Sequence, residues 1–220
     1  MRLYHFTSAK WALDDIRRGR LKIATLDNLN DPFELRAVAI RDQSRRKEYG
    51  SYRDSLGTAF GVLCFSRHWA NPVQWSHYAD NHRGVCLGFD VESTLVHPII
   101  YRLRPYDEAV LNGIETMSEA DARGVLLKLM TTKYSHWRYE KEVRAFASLD
   151  DPDPETGLFF TNFSPYLALR EVIVGPNSPL TRAEVADALG ELAATVTAFK
   201  ARLSFQSYRV VRQRSPSQWT

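Results

Sequence analysis

Short stretches in which apolar and polar residues alternate recur along the chain, as expected for strands that bury one face. They lie at residues 2–6, 21–25, 60–66, 85–90, 99–102, 142–147, 157–160, 171–174 and 207–211. Helically spaced apolar residues behind capping residues predict helices that begin near Ser8, Asp31, Asn71, Ser118 and Thr181. Eight or nine short strands without a βαβ repeat favour an α+β fold, with a split, mostly antiparallel sheet and flanking helices.

Several segments carry more specific expectations. The helical prediction around Ser118 covers residues 106–133, and the polar turn at 150–157 is predicted to close a hairpin. No internal repeat or linker divides the chain, so we predict a single domain over residues 1–220. The tail after about residue 212 is expected to be frayed.

Composition adds little to this picture. The chain has 220 residues, of which 44% are hydrophobic and 25% charged, which is typical of a globular protein. A net charge of +3 is too small to indicate nucleic-acid binding by itself. Without an apolar signal core or a run of membrane-spanning length, we expect a soluble, cytoplasmic protein with no membrane partner.

Two cysteines, Cys64 and Cys86, lie in apolar stretches that resemble strands. They are expected to be buried free thiols. Three histidines, His68, His77 and His82, lie within or near the interval between them, but the spacing matches no zinc-binding pattern. No metal is therefore expected.

Residues 41–56 form a basic segment with few acids, which we predict to be helical and exposed. Its cationic side chains are Arg41, Arg45, Arg46, Lys47 and Arg53. The segment is interpreted either as a solvated face or as a contact surface for an acidic partner.

The strongest candidate for chemistry is the stretch 137–144, where Glu140 and Glu142 are separated by one residue. In a strand, this spacing places both carboxylates on one side. Two carboxylates on one face repel each other unless a cation, a partly positive transition state or paired arginines compensate their charge. If the pair has no function, Glu140 and Glu142 are interpreted as surface or edge acids that Arg138 and Arg144 neutralise. Sequence motifs for P-loop, dinucleotide-binding, serine-hydrolase or zinc-protease chemistry are absent.

Motifs spread from residue 3 to about residue 212 resemble the bacterial domain-of-unknown-function 2971 family. They are Leu3-Tyr-His-Phe-Thr7, Asn28-Leu-Asn-Asp-Pro-Phe-Glu34, Leu63-Cys-Phe-Ser66, Trp75-Ser-His-Tyr-Ala-Asp80, Gly84-Val-Cys-Leu-Gly-Phe89 and Tyr139-Glu-Lys-Glu-Val-Arg144. This family supplies no function.

A more distant resemblance links the chain to the ADP-ribosyltransferase superfamily. That fold opens with a strand carrying His or Arg, which corresponds here to His5. A later strand with an aromatic and a hydroxyl residue corresponds to Phe65-Ser66, and a helix aromatic to Tyr78. The terminal Glu-x-Glu corresponds to Glu140-Lys-Glu142. The resemblance implies an ADP-ribosyltransferase-like fold that uses NAD as substrate.

The resemblance also implies roles for individual residues. Glu142 would stabilise the positive charge that develops on the ribose carbon, and Glu140 would orient or activate the acceptor. His5 would bind a ribose hydroxyl, while Phe65 or Tyr78 would stack on nicotinamide. Three more residues, Thr7, Ser66 and His77, are placed on the NAD-binding side. Either Arg144 or Arg2 would pair with the pyrophosphate.

Three functions remain open from the sequence. The first is an ADP-ribosyltransferase acting on an unknown protein or nucleic-acid acceptor. The second is an NAD glycohydrolase, and the third is a non-catalytic module that binds nucleic acid or protein on the same fold. The basic segment 41–53 is a candidate contact for the acceptor or the bound partner. A toxin, a phage-defence effector and a housekeeping enzyme are all compatible with the sequence.

Overall fold

The fold is taken from a computed structural model, which describes the whole chain apart from the side chain of Glu115. The α-helices are α1 (Ala9–Arg18), α2 (Gln43–Ala59), α3 (Pro72–Tyr78), α4 (Glu119–Met130) and α5 (Arg182–Leu189). Short 3-10 helices cover Leu26–Asn28, Ser93–Leu95, Glu108–Leu111, Ile114–Thr116, Ser135–Glu140, Gly190–Ala194 and Pro216–Gln218.

The strands form mixed, mostly antiparallel sheets, so the predicted α+β class is confirmed. The longer strands are β1 (Arg2–Thr7), β2 (Arg20–Thr25), β4 (Phe60–Ser66), β5 (Val85–Val91), β10 (Glu142–Ser148), β11 (Phe159–Asn162), β12 (Leu167–Val174) and β13 (Thr197–Leu203). Those of two or three residues are β3 (Val38–Ala39), β6 (His97–Pro98), β7 (Ile100–Arg102), β8 (Tyr106–Asp107), β9 (Thr132–Tyr134) and β14 (Val210–Arg212).

The chain divides into two compact units, each built from separated segments. Unit 1 contains Met1–Lys22, Cys64–Val96 and Phe160–Thr220. Unit 2 contains Ile23–Leu63 and His97–Phe159. Each is described by itself below.

Unit 1 is organised around β5, which pairs antiparallel with both β1 and β12. Beyond β12 the sheet continues with the parallel strand β13 and the antiparallel strand β14. Helix α3 places the fully buried Trp75 against Cys86, Ile173 and Phe199. Six of the seven residues of β5 are buried, so both faces of this central strand are covered, and its apolar run made it recognisable in the sequence.

The ends of the unit 1 helices follow the predicted capping chemistry. The Ser8 side chain accepts a hydrogen bond from Trp11 N, and Gly19 ends α1 with a left-handed φ of 60°. Thr181 and Glu184 form a capping box at the start of α5. These predictions are confirmed.

Unit 2 contains the strand pairs β2–β4 and β10–β6, both antiparallel, and β3–β8 and β7–β9, both parallel. Its smaller apolar core joins Ala37 and Val38 to Leu129 of α4. Helix α2 has no buried residue, so the predicted exposed basic helix is confirmed.

Of two other helices predicted in unit 2, one is wrong, and the other is present from its predicted cap, Ser118, but is shorter than predicted. At Asp31 the chain forms a turn, in which the Asp31 carboxylate accepts from Phe33 N at 2.9 Å and Leu35 follows with φ of 55°. A left-handed residue cannot continue a right-handed helix. The helix predicted for residues 106–133 begins only at Glu119, because Ser118 caps it and Gly113 turns the chain with φ of 71°.

Two further expectations also fail. Strand β10 pairs with β4 and β6 and not with β11, so the turn at 150–157 does not close a hairpin. The tail is not frayed, since Trp219 is 7% exposed and its indole N–H donates to Leu180 O at 2.9 Å. The indole ring of Trp219 holds the tail against the protein, although the mostly polar sequence of the tail predicted an exposed segment.

Candidate functional site

The two glutamates of the candidate site meet at one lysine in unit 2. Lys133 Nζ lies 2.7 Å from Glu140 Oε2 and 3.1 Å from Glu142 Oε2. All three side chains are at least 90% buried. The glutamates are therefore interior groups, and the alternative of surface or edge acids is wrong.

The reason for their proximity differs from the one predicted. Glu140 ends a 3-10 helix, whereas Glu142 begins β10. Lys141 between them is left-handed, with φ of 46°. Both carboxylates reach Lys133 because the chain turns at Lys141, and not because one strand presents alternate residues on one face.

Arg144 binds the far side of the same cluster. Its Nε lies 2.7 Å from Glu142 Oε1, and its Nη1 lies 2.9 Å from Glu34 Oε2. Its Nη2 contacts both carboxylates, and Nη1 also donates to Met130 O at 2.9 Å. Arg144 has only 1% of its side chain exposed and neutralises glutamates, and its predicted pyrophosphate contact stays a prediction.

These five side chains form what we call the buried ion cluster: Glu34, Lys133, Glu140, Glu142 and Arg144. Burial alone would raise the pKa of Glu142, but Arg144 and Lys133 outweigh it and lower that pKa to about 2. Burial would likewise lower the pKa of Lys133, yet the three glutamates raise it. The lysine and Glu142 are thus charged at neutral pH.

Two aromatic side chains border the cluster. The Tyr101 hydroxyl accepts a hydrogen bond from Glu142 N at 2.8 Å, which fixes the start of β10. Burial raises the pKa of Tyr101 to about 12. Lys133 Nζ lies 5.0 Å from the centre of the Trp137 ring, a favourable cation–π distance.

A cavity of about 350 Å³ adjoins the cluster at Lys133. Three arginines, Arg36, Arg102 and Arg104, also line it. So does Phe33, whose residue surface is 61% exposed. The volume is at the lower end of the range for small-molecule sites, and the lining is cationic and aromatic. Such a cavity suits an anionic ligand with a ring.

The remaining predicted residues belong to unit 1. His5 lies in β1, where its Nδ1 is 3.0 Å from Cys64 O, and burial lowers its pKa. Phe65 in β4 is buried and meets the His5 ring edge-on at a centroid distance of 6.1 Å. The predicted neighbourhood of His5 and Phe65 is therefore present within this unit.

Thr7 ends β1 opposite Val85 and is half-buried. Ser66 is buried, and its hydroxyl contacts His68 O at 3.0 Å and Gln74 Oε1 at 3.3 Å. It therefore ties β4 to the loop that follows.

The predicted helix aromatics lie at the end of α3. His77 is exposed and Tyr78 is half-buried, with ring centroids 6.1 Å apart. Arg2 forms ion pairs with Asp90 at 2.8 Å and Glu171 at 3.1 Å. The NAD contacts predicted for His77, Tyr78 and Arg2 stay predictions.

The structure also describes the cysteines and the basic segment. Cys86 is buried and Cys64 half-buried, both as free thiols. On α2, Arg45 pairs with Glu108 and Arg53 with Asp54.

Among the described residues, no group of three or more His, Cys, Asp or Glu side chains could hold a metal ion. Within the same residues, no helix has the length and apolar character needed to cross a membrane.

Sequence reasoning missed two members of the cluster, Glu34 and Lys133. Glu34 was interpreted as the third residue of a helix, and Lys133 as part of a helix end. A signal was nevertheless present, because Asp31-Pro-Phe-Glu34 belongs to a motif that carries the family resemblance. No such signal marked Lys133, whose burial next to Thr131 and Thr132 is seen only in the structure.

Comparison with known proteins gives one match. The chain has no match among curated proteins or among solved structures. The family model described as "Protein of unknown function (DUF2971)" matches residues 74–145. This segment contains most of α3, all of β5 and four members of the buried ion cluster. Over these residues, the chain is similar to the DUF2971 family.

Proposed function

We propose that the protein is an NAD-dependent ADP-ribosyltransferase, with the fold of that superfamily, which cleaves the nicotinamide–ribose bond and transfers ADP-ribose to a macromolecular acceptor. One observation carries the proposal. Lys133 lines the cationic cavity and also holds the carboxylates of Glu140 and Glu142. A ligand in the cavity would thus lie beside the buried ion cluster.

The cavity supplies groups that suit a dinucleotide. Arg36 and Arg104 are exposed, and a guanidinium can bind two phosphate oxygens at once. Arg102 stacks over Tyr106 at 4.0 Å, which holds its charge at the cavity wall. Phe33 offers an exposed ring for stacking on a base or on nicotinamide.

The cluster supplies the electrostatics. Three glutamates against one lysine and one arginine leave one net negative charge when all five are ionised. A positive centre that develops on the ribose is stabilised by such a charge, most strongly where water is excluded. Because Arg144 and Lys133 both neutralise Glu142, we assign this stabilisation to the cluster as a whole.

Within unit 2, Glu140 would orient the acceptor nucleophile.

The second candidate is a non-catalytic module that binds an anionic ligand in the same cavity. The pairing of Glu142 with both Arg144 and Lys133 favours it, because a carboxylate used this way stabilises the fold without any substrate. Under this alternative the cavity binds NAD or another anion, and no nicotinamide is released.

The test is incubation of the protein with NAD carrying a label on the adenylate part. Transfer of label to a cell extract, together with release of nicotinamide, is expected for wild type. Glu142→Gln should reduce the rate on the order of 10²–10³-fold. Its folded state is checked by circular dichroism, and Glu119→Gln, whose side chain is 87% exposed, is the control.

Three other outcomes discriminate among the functions. Nicotinamide release without labelled acceptor indicates a glycohydrolase. NAD binding without release indicates the non-catalytic module. Equal rates for wild type and folded Glu142→Gln would contradict the assignment of the cluster.

A further inference from the structure

A hairpin in unit 1 exposes two aromatic rings completely. Strands β13 and β14 pair antiparallel, and residues 204–209 connect them. Phe205 is 97% exposed and Tyr208 is 100% exposed. Rings of this size are normally covered in a folded protein, so their full exposure suggests a binding surface.

The loop is held in shape by its own hydrogen bonds. Ser204 N donates to Arg209 O at 2.9 Å, and Arg209 N donates to Ser207 O at 2.8 Å. The Ser204 hydroxyl accepts from Gln206 N at 3.1 Å. Because these hydrogen bonds already restrict the loop, the loop loses less conformational entropy when its rings bind a ligand.

The C-terminal segment that carries these rings is basic and contains no acid. Residues 192–220 contain five Lys or Arg residues and no Asp or Glu. Arg202 lies 5.8 Å from the Phe205 ring centre, and Arg212 lies 4.6 Å from that of Phe199. Positive charge and aromatic surface are therefore interleaved along one hairpin.

Two depressions flank the hairpin and share one arginine. The first, of about 260 Å³, is lined by Arg67, Trp69, Arg209 and Arg212, among others. The second, of about 270 Å³, is lined by Arg182, Lys200, Arg212, Arg214 and Trp219, among others. Because Arg212 lines both, the two depressions are neighbours on the hairpin, and cationic and aromatic residues line each of them.

We infer that this surface binds single-stranded nucleic acid. Guanidinium groups would contact the phosphates, and the exposed rings of Phe205 and Tyr208 would stack on unpaired bases. This combination is how proteins bind single strands without reading their sequence. A duplex hides its base faces, so stacking on exposed rings favours single strands. Binding through the hairpin does not depend on NAD cleavage.

The test measures fluorescence anisotropy of labelled 12-nucleotide oligouridine and oligothymidine with the full chain. Wild type is expected to bind both, more weakly as salt is raised. Replacing each ring by alanine, as in Phe205→Ala and Tyr208→Ala, should weaken binding about 5- to 150-fold per ring. Tyr166→Ala, at a ring 61% exposed elsewhere in unit 1, is the matched control and should bind like wild type.

Charge is tested in parallel. Arg209→Gln should reduce the salt slope by roughly 0.7, as expected for one lost phosphate contact on a single strand. Arg83→Gln, an exposed arginine of unit 1 outside both depressions, should leave the slope unchanged.

Several results would overturn the inference. They are failure to bind either oligonucleotide, equal affinity of the two ring variants and wild type, and tighter binding of a 12-base-pair duplex. Binding to vesicles of anionic lipid but not to oligonucleotides would also overturn it. Stronger binding of oligouridine than oligothymidine would support the inference and identify RNA as the preferred strand.

Discussion

Replacing Glu142 by glutamine tests the energetics of the buried ion cluster. The change removes one charge that lies 2.7 Å from Arg144 Nε and 3.1 Å from Lys133 Nζ. The two cations lower the pKa of Glu142 from 4.5 to about 2. At 1.36 kcal/mol per pKa unit, this corresponds to about 3 kcal/mol of stability at neutral pH. Removing one partner of a buried ion pair typically costs a similar amount of stability, about 3–5 kcal/mol.

The difference in stability between wild type and Glu142→Gln should depend on pH. A carboxyl whose pKa is lowered by folding contributes stability above its unfolded pKa, and loses it as pH falls through the folded value. The free energy of unfolding of wild type should therefore exceed that of Glu142→Gln by about 3 kcal/mol at pH 6. The difference should shrink as pH is lowered from 4.5 toward 2.

The assay is urea unfolding followed by tryptophan fluorescence at several pH values. Glu119→Gln is the control, because its exposed pair with Arg123 should contribute less than about 1 kcal/mol. A Glu142→Gln protein as stable as wild type at pH 6 would refute the reasoning. So would a deficit that stays constant between pH 5 and pH 2.

Three further predictions concern other sites. Burial, followed by the charge of Asp14, raises the pKa of Asp15 from 3.8 to about 7, so the folded state loses up to about 4 kcal/mol as pH rises from 4 to 7. Asp15→Asn should remove this loss, so between pH 4 and pH 7 its thermal unfolding midpoint should fall less than that of wild type. Gly84→Ala should lower stability by about 1–3 kcal/mol, because its Cβ would lie 2.2 Å from Thr7 O. Gly124→Ala, in an open helical position, should raise stability by about 0.5–1 kcal/mol in the same assay.

The sequence predicted unit 1 better than unit 2. The long strands β5 and β12 contain buried apolar runs of several residues, which are recognisable in the sequence as strands. Several strands of unit 2, such as β3 and β6, have only two residues, which is too short for a period to appear. Their positions depend on pairing with distant partners, which local pattern does not encode.

The candidate site was predicted in part. Glu140 and Glu142 were singled out, but their burial was not, because charged residues are normally expected at the surface. Burial of Arg144 depends on contacts with distant residues, such as Glu34, which lies 110 positions away. The turn at Asp31, which positions Glu34, resembles a capped helix start until the left-handed Leu35 is known.

The most direct test of the proposed function is the rate of nicotinamide release from NAD by wild type and Arg104→Gln. Arg104 lines the cavity and is exposed, so its loss should leave the fold intact. Removing one charged hydrogen bond to a phosphate predicts a KM raised about 10- to 150-fold with kcat little changed. Arg123→Gln, at an exposed arginine outside this cavity, should behave like wild type. Absence of nicotinamide release by wild type, or an Arg104→Gln protein with unaltered KM, would contradict the proposal.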